Sequence, residues 1–113
     1  MQSNLIDQVN SLYAYFHQNQ IEEILARAND DVRVELVAFG QVLTGKEGFR
    51  QFLSGFKQAF PDLRIEPAVQ FASGEYVCCE FKAKGTHLGP LMTPAGPIQA
   101  TGKSIVTSVC EVW

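Results

Sequence analysis

From Tyr76 to Thr86 the chain alternates. Val77, Cys79, Phe81 and Ala83 fall on one face, and Tyr76, Cys78, Glu80, Lys82 and Lys84 fall on the other. This is the period of two that a β-strand imposes. Such a strand has one side to bury and one to wet, so it belongs to a sheet with a buried face. His87 keeps the parity of the apolar set and points inward where the strand gives way to a loop. That loop runs from Gly85-Thr86-His87-Leu88-Gly89-Pro90 through a Pro- and Gly-rich bend to Ala100-Thr101-Gly102-Lys103.

The cover is found upstream. Leu5, Ile6, Val9, Leu12, Tyr13 and Phe16 recur at helical spacing from a candidate N-cap at Ser3, with His17 ending the helix. There an imidazolium would suit the negative end of the helix dipole. Asn19 with Glu22 predicts a second cap, and Ile21, Ile24, Leu25 and Ala28 a short helix up to Asn29-Asp30-Asp31. Thr44-Gly45-Lys46-Glu47 has the form of a capping box. It leads into a third helix whose stripe is Phe49, Phe52, Leu53, Phe56 and Phe60, closed by Pro61.

Three more segments read as strands. Val32 to Phe39 is rich in β-branched and apolar residues, with Arg33 and Glu35 to solvent. In Leu63 to Phe71, Leu63, Ile65, Val69 and Phe71 alternate with Arg64, Glu66, Ala68 and Gln70, and Pro67 requires an edge or a bulge. In Ser104 to Trp113, Ile105, Thr107, Val109, Glu111 and Trp113 oppose Val106, Ser108, Cys110 and Val112. Neither face of that last strand is polar, so both are expected to be covered, one by the long helix and one by a partner or by the cavity. The order helix, helix, strand, helix, strands predicts an α+β domain in which a curved antiparallel sheet wraps around a long helix. The space so enclosed is the default ligand site.

Composition narrows the partners. The formal net charge of −3 is too mild to favour nucleic acid or an acidic membrane surface. No apolar run approaches a membrane span, and no signal-peptide pattern opens the chain. Cys78, Cys79 and Cys110 have neither disulfide-like nor zinc-like spacing, so a reducing cytoplasm and no bound metal are expected. With no repeat or linker, residues 1–113 read as one domain.

Gly45-Lys46-Glu47-Gly48, Ala59-Phe60-Pro61-Asp62-Leu63-Arg64, Gly85-Thr86-His87 with Gly89-Pro90, and Thr101-Gly102-Lys103 occur in one register. This series resembles the SnoaL-like polyketide cyclases of the NTF2-like superfamily, over roughly residues 29 to 113. The resemblance implies a cone-shaped, cystatin-like α+β fold, commonly a homodimer packed through its sheet. It also implies a pocket between sheet and helices, and ring closure by intramolecular aldol condensation without cofactor, an acidic side chain accepting the proton. The sequence departs from the family at its end. The family's further strand, near a His-Trp pair, and its late catalytic aspartate have no matching residues, so a missing last strand is an expectation and Glu111 is the nearest acid on a late strand.

His87 and Glu111 are therefore the candidate acid/base pair. An imidazole titrates near working pH, and an apolar cavity would raise a carboxyl towards that range. The expected pocket lining is Tyr13, Phe16, Phe52, Phe56, Cys79, Phe81, Leu91, Met92, Val109 and Trp113, with Leu91 and Met92 as a lid and Cys79 an inert core thiol. Glu35, Glu80 and Lys103 are assigned to solvent or turn. The function expected is cofactor-free acid/base chemistry on a small apolar carbonyl compound: aldol cyclisation, isomerisation or ester chemistry. The alternatives are a pocket that binds without chemistry and a dimerisation domain.

Overall fold

The computed structural model describes residues 2–113, leaving Met1 and the side chains of Gln2 and Ser3 outside the description. The elements run α1 (Gln2–His17), α2 (Ile21–Ala26), β1 (Arg33–Leu36), a 3₁₀ turn (Val37–Phe39), β2 (Gln41–Thr44), α3 (Gly45–Ala59), β3 (Arg64–Ser73), β4 (Tyr76–Thr86), β5 (Leu91–Thr93), β6 (Gly96–Ile98) and β7 (Ser104–Val112). Strands β3, β4 and β7 form an antiparallel sheet with β4 in the centre, while β1–β2 and β5–β6 are separate hairpins. The expected α+β class holds. Helix α1 lies on β3 and β4, and α3 packs against α2 and both hairpins.

Helix α1 begins before Ser3, so Ser3 lies inside it and cannot be its N-cap; any cap made by its side chain lies outside the described residues. The expected cap at Asn19 is also displaced. Asn19 has φ +59° and ends α1: its N–H donates to Phe16 O, and the Gln20 N–H donates to Tyr15 O. This is the Schellman arrangement, which favours Gly or Asn at the left-handed position. Thr44 does stand at the N-cap of α3, but its side chain makes no capping bond, and Glu47 turns to Arg50 instead.

Two strands differ from expectation for identifiable reasons. Val32 to Phe39 is not one strand, because the chain turns through Val37–Phe39 and a left-handed Gly40 into β2, pairing Val34 with Leu43. In β3 the register shifts between Pro67 and Val69. That bulge adds one residue and reverses the side-chain parity beyond it. Val69 and Phe71 therefore face outward, and Gln70 turns inward opposite Cys79. Pro67 predicts the bulge, and the inversion of parity beyond it follows from the extra residue.

Strand β4 matches its pattern: Val77, Cys79, Phe81 and Ala83 are buried, and Tyr76, Glu80, Lys82 and Lys84 are exposed. With Val9, Tyr13 and Phe16 from α1, Phe49 and Leu53 from α3, and Ile24 and Leu25 from α2, they form the core. Burial of each large apolar side chain there stabilises the fold by roughly 1.5–3 kcal/mol. The outer sheet face has no cover among the described residues. Val106 and Val112 are 63% and 66% exposed, so the described residues of the single chain leave this face of β7 open; of the covers expected for it, a partner lies outside the single chain.

Candidate functional site

Glu111, on β7 opposite Cys79, faces the core side of the sheet beneath α1. Its Oε1 accepts the Tyr13 O–H at 2.5 Å and the Trp113 indole N–H at 3.1 Å. Trp113 is fixed there because its backbone N–H and C=O both bond to Val77, which extends the ladder by one residue. Burial pushes the Glu111 carboxyl above its usual value, and the two donors oppose that shift. Burial, and then the adjacent carboxylate, hold the Tyr13 phenol far above the ordinary phenolic range. Tyr13 thus remains an O–H donor at any physiological pH, and Glu111 is a half-buried acid with one oxygen committed.

The same row continues across the sheet. Gln70, Cys79 and Glu111 are successive cross-strand partners. The Gln70 amide donates to Asn10 Oδ1 at 2.6 Å and to the Cys79 sulfur at 3.5 Å, and the Asn10 amide donates back to Gln70 Oε1. Asn10 and Tyr13 are three residues apart on one face of α1, which brings both over this row. Sequence reasoning missed Gln70 and Asn10. The available signal was Pro67, since one bulge residue between it and Gln70 carries the amide inward.

His87 also faces inward and is buried, as its parity predicted. The strand register nevertheless separates it from Glu111. Glu111 pairs with Cys79, eight positions back along β4 from His87, which is about 26 Å of strand at roughly 3.3 Å per residue. The two share a face but stand at opposite ends of it, so the expected acid/base pair is not assembled. His87 instead holds the loop. Its Nδ1 lies 3.1 Å from Thr101 Oγ1, its N–H donates to Lys103 O, and its C=O accepts the Gly102 N–H. The ring lies 5.3 Å from that of Phe60, and Nε2 is buried without a hydrogen-bond partner among the described residues. Asp62 supports this end by accepting the N–H and O–H of Thr86, each at 2.8 Å, which keep its carboxyl below the usual range.

The expected lining residues divide between regions. Tyr13, Cys79, Phe81, Val109 and Trp113 lie on the Glu111 side of the interior, with Tyr13 5.8 Å from Phe81 and 6.2 Å from Trp113, centroid to centroid. Phe16 is buried beneath the Lys57 ammonium, 4.6 Å from the ring centre. Phe52 and Phe56 stack edge to face on α3 at 5.3 Å. Leu91 is half-buried, whereas Met92 is 62% exposed and turned away, so it does not close a lid. A cleft of about 420 Å³ opens between α2 and α3 beside Glu22, Arg50 and Ser54, and a depression of about 310 Å³ lies along β4 and β7. Neither contains Glu111 or His87.

His17 differs from the expected helix-end cation. Its Nε2 accepts the Ile65 backbone N–H at 2.9 Å, which requires that nitrogen to be unprotonated. Burial, with Arg64 and Lys57 nearby, lowers its pKa. Among the described residues no three His, Cys, Asp or Glu side chains converge as a metal site would require, and no helix is long and apolar enough to cross a membrane.

Comparison with known proteins supplies the frame for this geometry. A candidate SnoaL-like polyketide cyclase from Jannaschia sp. CCS1 superposes with a TM-score of 0.85 at 14% identity, covering 99% of this chain and 76% of its own. A candidate polyketide cyclase from Xanthomonas campestris pv. campestris gives 0.79 at 21% identity, covering 97% and 79%. IdmH, a candidate polyketide cyclase from Streptomyces antibioticus, gives 0.76 at 19% identity, covering 96% and 80%. At these identities the likeness shows the NTF2-like, cystatin-type fold alone. No curated protein matches the sequence. Residues 7–113 match the profile of the SnoaL-like polyketide cyclases, and the chain belongs to that family.

Proposed function

We propose that the chain performs cofactor-free proton transfer on a small apolar carbonyl compound, with Glu111 as the proton acceptor. The observation that carries this reading is the Glu111 carboxylate, half-buried, basic for its type and held by Tyr13 and Trp113 through one oxygen. Oε2, which accepts no hydrogen bond among the described residues, is the oxygen that takes a proton from carbon next to a carbonyl. The resulting enolate then attacks a second carbonyl in an aldol closure, or is reprotonated in an isomerisation. Tyr13 and Trp113 are positioning residues, because each acts through the carboxylate. His87 is assigned to the loop.

The test is deuterium exchange at the α-carbon of apolar β-keto esters, with Glu111→Gln as the variant. Exchange by the native chain that falls at least 100-fold in Glu111→Gln, with folding intact, supports the reading, since positioned acid/base groups contribute about 10²–10⁴-fold. Saturable binding of the same esters without exchange would instead establish a binding protein. A second reading concerns assembly. Phe71, Tyr76, Val106 and Val112 are exposed apolar side chains on the outer sheet face, set among Glu80, Lys82 and Lys84, and they favour pairing of two copies through that face. Light scattering that gives a monomer at all concentrations would remove it.

A further inference from the structure

The outer sheet face carries a feature that the carbonyl chemistry leaves unused. Cys78 is half-exposed on β4 and Cys110 exposed on β7, and their sulfurs lie 3.8 Å apart. They are diagonal neighbours: Cys78 pairs with Val112, and Cys110 pairs with Glu80. Diagonal positions on one face remain within reach of each other's side chains. Cys79, although adjacent in sequence, is fully buried on the opposite face, so strand alternation keeps it out of the pair.

We propose that Cys78 and Cys110 form a dithiol site that closes to an intramolecular disulfide by exchange with a low-molecular-weight disulfide of the glutathione type. The co-reactant has a place to approach. The shallow depression of about 310 Å³ along β4 and β7 includes Cys110, flanked by Glu80, Lys82 and Ser108, with the Lys82 ammonium 3.0 Å from Ser108 Oγ. This ammonium is a counter-charge for the carboxylates of such a peptide disulfide, and Cys110 is the more exposed of the two residues.

The exchange runs in two steps. The Cys110 thiolate attacks one sulfur of the small disulfide, forming a mixed disulfide and releasing one thiol. The Cys78 thiolate then attacks the Cys110 sulfur, forming the protein disulfide and releasing the second thiol. Two protein thiols are oxidised, one small disulfide is reduced to two thiols, and no other oxidant is required. Short closure of the sulfurs makes the second step intramolecular.

The test treats the dilute, folded chain with oxidised glutathione, followed by intact mass, native thiol titration and peptide mapping. The expected result is joint loss of both exposed thiols with one Cys78–Cys110 cross-linked peptide, reversed by excess reduced glutathione. Cys78→Ser and Cys110→Ser, both on the solvent face, should each retain a stable glutathione adduct at the remaining cysteine. Two glutathione adducts on the native chain without a cross-link would overturn the proposal. So would a disulfide between chains, a bond to Cys79, or thiols that stay unreactive in the dilute folded protein. Pairing of two copies through this face would cover both sulfurs, so the exchange belongs to the unpaired chain, and light scattering on the same dilute sample fixes that state; the carbonyl reading is scored separately by α-carbon exchange.

Discussion

Replacing Tyr13 by Phe removes a single oxygen from a residue that is 6% exposed, and leaves its ring packed against Phe81 and Trp113. What is lost is the 2.5 Å donor to Glu111, together with a hydroxyl oxygen that accepts the Trp113 N–H at 3.2 Å, leaving the half-buried carboxylate with that N–H as its remaining side-chain donor. A hydrogen bond to a charged group contributes about 1.5–3 kcal/mol, against about 0.5–1.5 kcal/mol between neutral groups. With an unfolding entropy of roughly 2.1 cal/mol/K per residue, a chain of 113 residues shifts by about 4 °C per kcal/mol. The expected fall in Tm at neutral pH is therefore about 6–13 °C.

The difference depends on pH with a definite sign. Glu111 has a folded pKa raised above its unfolded value, so its ionised form costs stability above the folded pKa, and that cost is relieved as pH falls towards the unfolded value. Once the carboxyl is protonated, Tyr13 bonds to a neutral acid and the deficit should shrink to about 2–6 °C. Thermal melts followed by circular dichroism, native against Tyr13→Phe, at about pH 7 and about pH 4 measure both values. A deficit of the same size at both pH values would refute the assignment of the bond to an ionised Glu111. A deficit under about 1 °C would refute the bond itself.

Glu111→Gln should raise Tm at neutral pH while abolishing α-carbon exchange, because the amide oxygen still accepts from Tyr13 and Trp113 without a half-buried charge; melts and exchange on one preparation check this. His17 has a lowered folded pKa, so the stability it gives is full above its unfolded value near 6.5 and is lost as pH falls through the folded value. His17→Ala should cost about 1–3 kcal/mol at neutral pH by orphaning the Ile65 N–H, and should flatten that acid-side slope in urea titrations. A Cβ on Gly89 would stand 2.1 Å from the Gln58 carbonyl oxygen, whereas one on Gly55 meets open space. Gly89→Ala should thus destabilise by about 1–3 kcal/mol, and Gly55→Ala, inside α3, should stabilise by about 0.8–1 kcal/mol; chemical denaturation of the pair gives both signs.

Legibility followed the range of the forces involved. The strand Tyr76–Thr86, the inward turn of His87 and the Phe49–Phe56 helix were readable because period and burial are local properties of a few consecutive residues. The Asn19 cap was misread because Asn suits both a helix start and a left-handed helix end, and only the following backbone decides which. Gln70 was placed on the wrong face because the parity count ran through Pro67 without the extra residue of the bulge. His87 and Glu111 were paired on shared parity, which fixes the face and leaves the distance along the strand open.

The sequence by itself determined the alternation, the helical stripes, the α+β order and the family to which residues 7–113 belong. Only the tertiary structure decided which polar groups meet. Strand register set Glu111 beside Cys79 and far from His87, the bulge turned Gln70 inward, and α1 brought Tyr13 onto the carboxylate. The physical reason is that side-chain direction repeats every two or 3.6 residues within an element. Contact between elements depends on register and docking, which no single stretch of chain encodes.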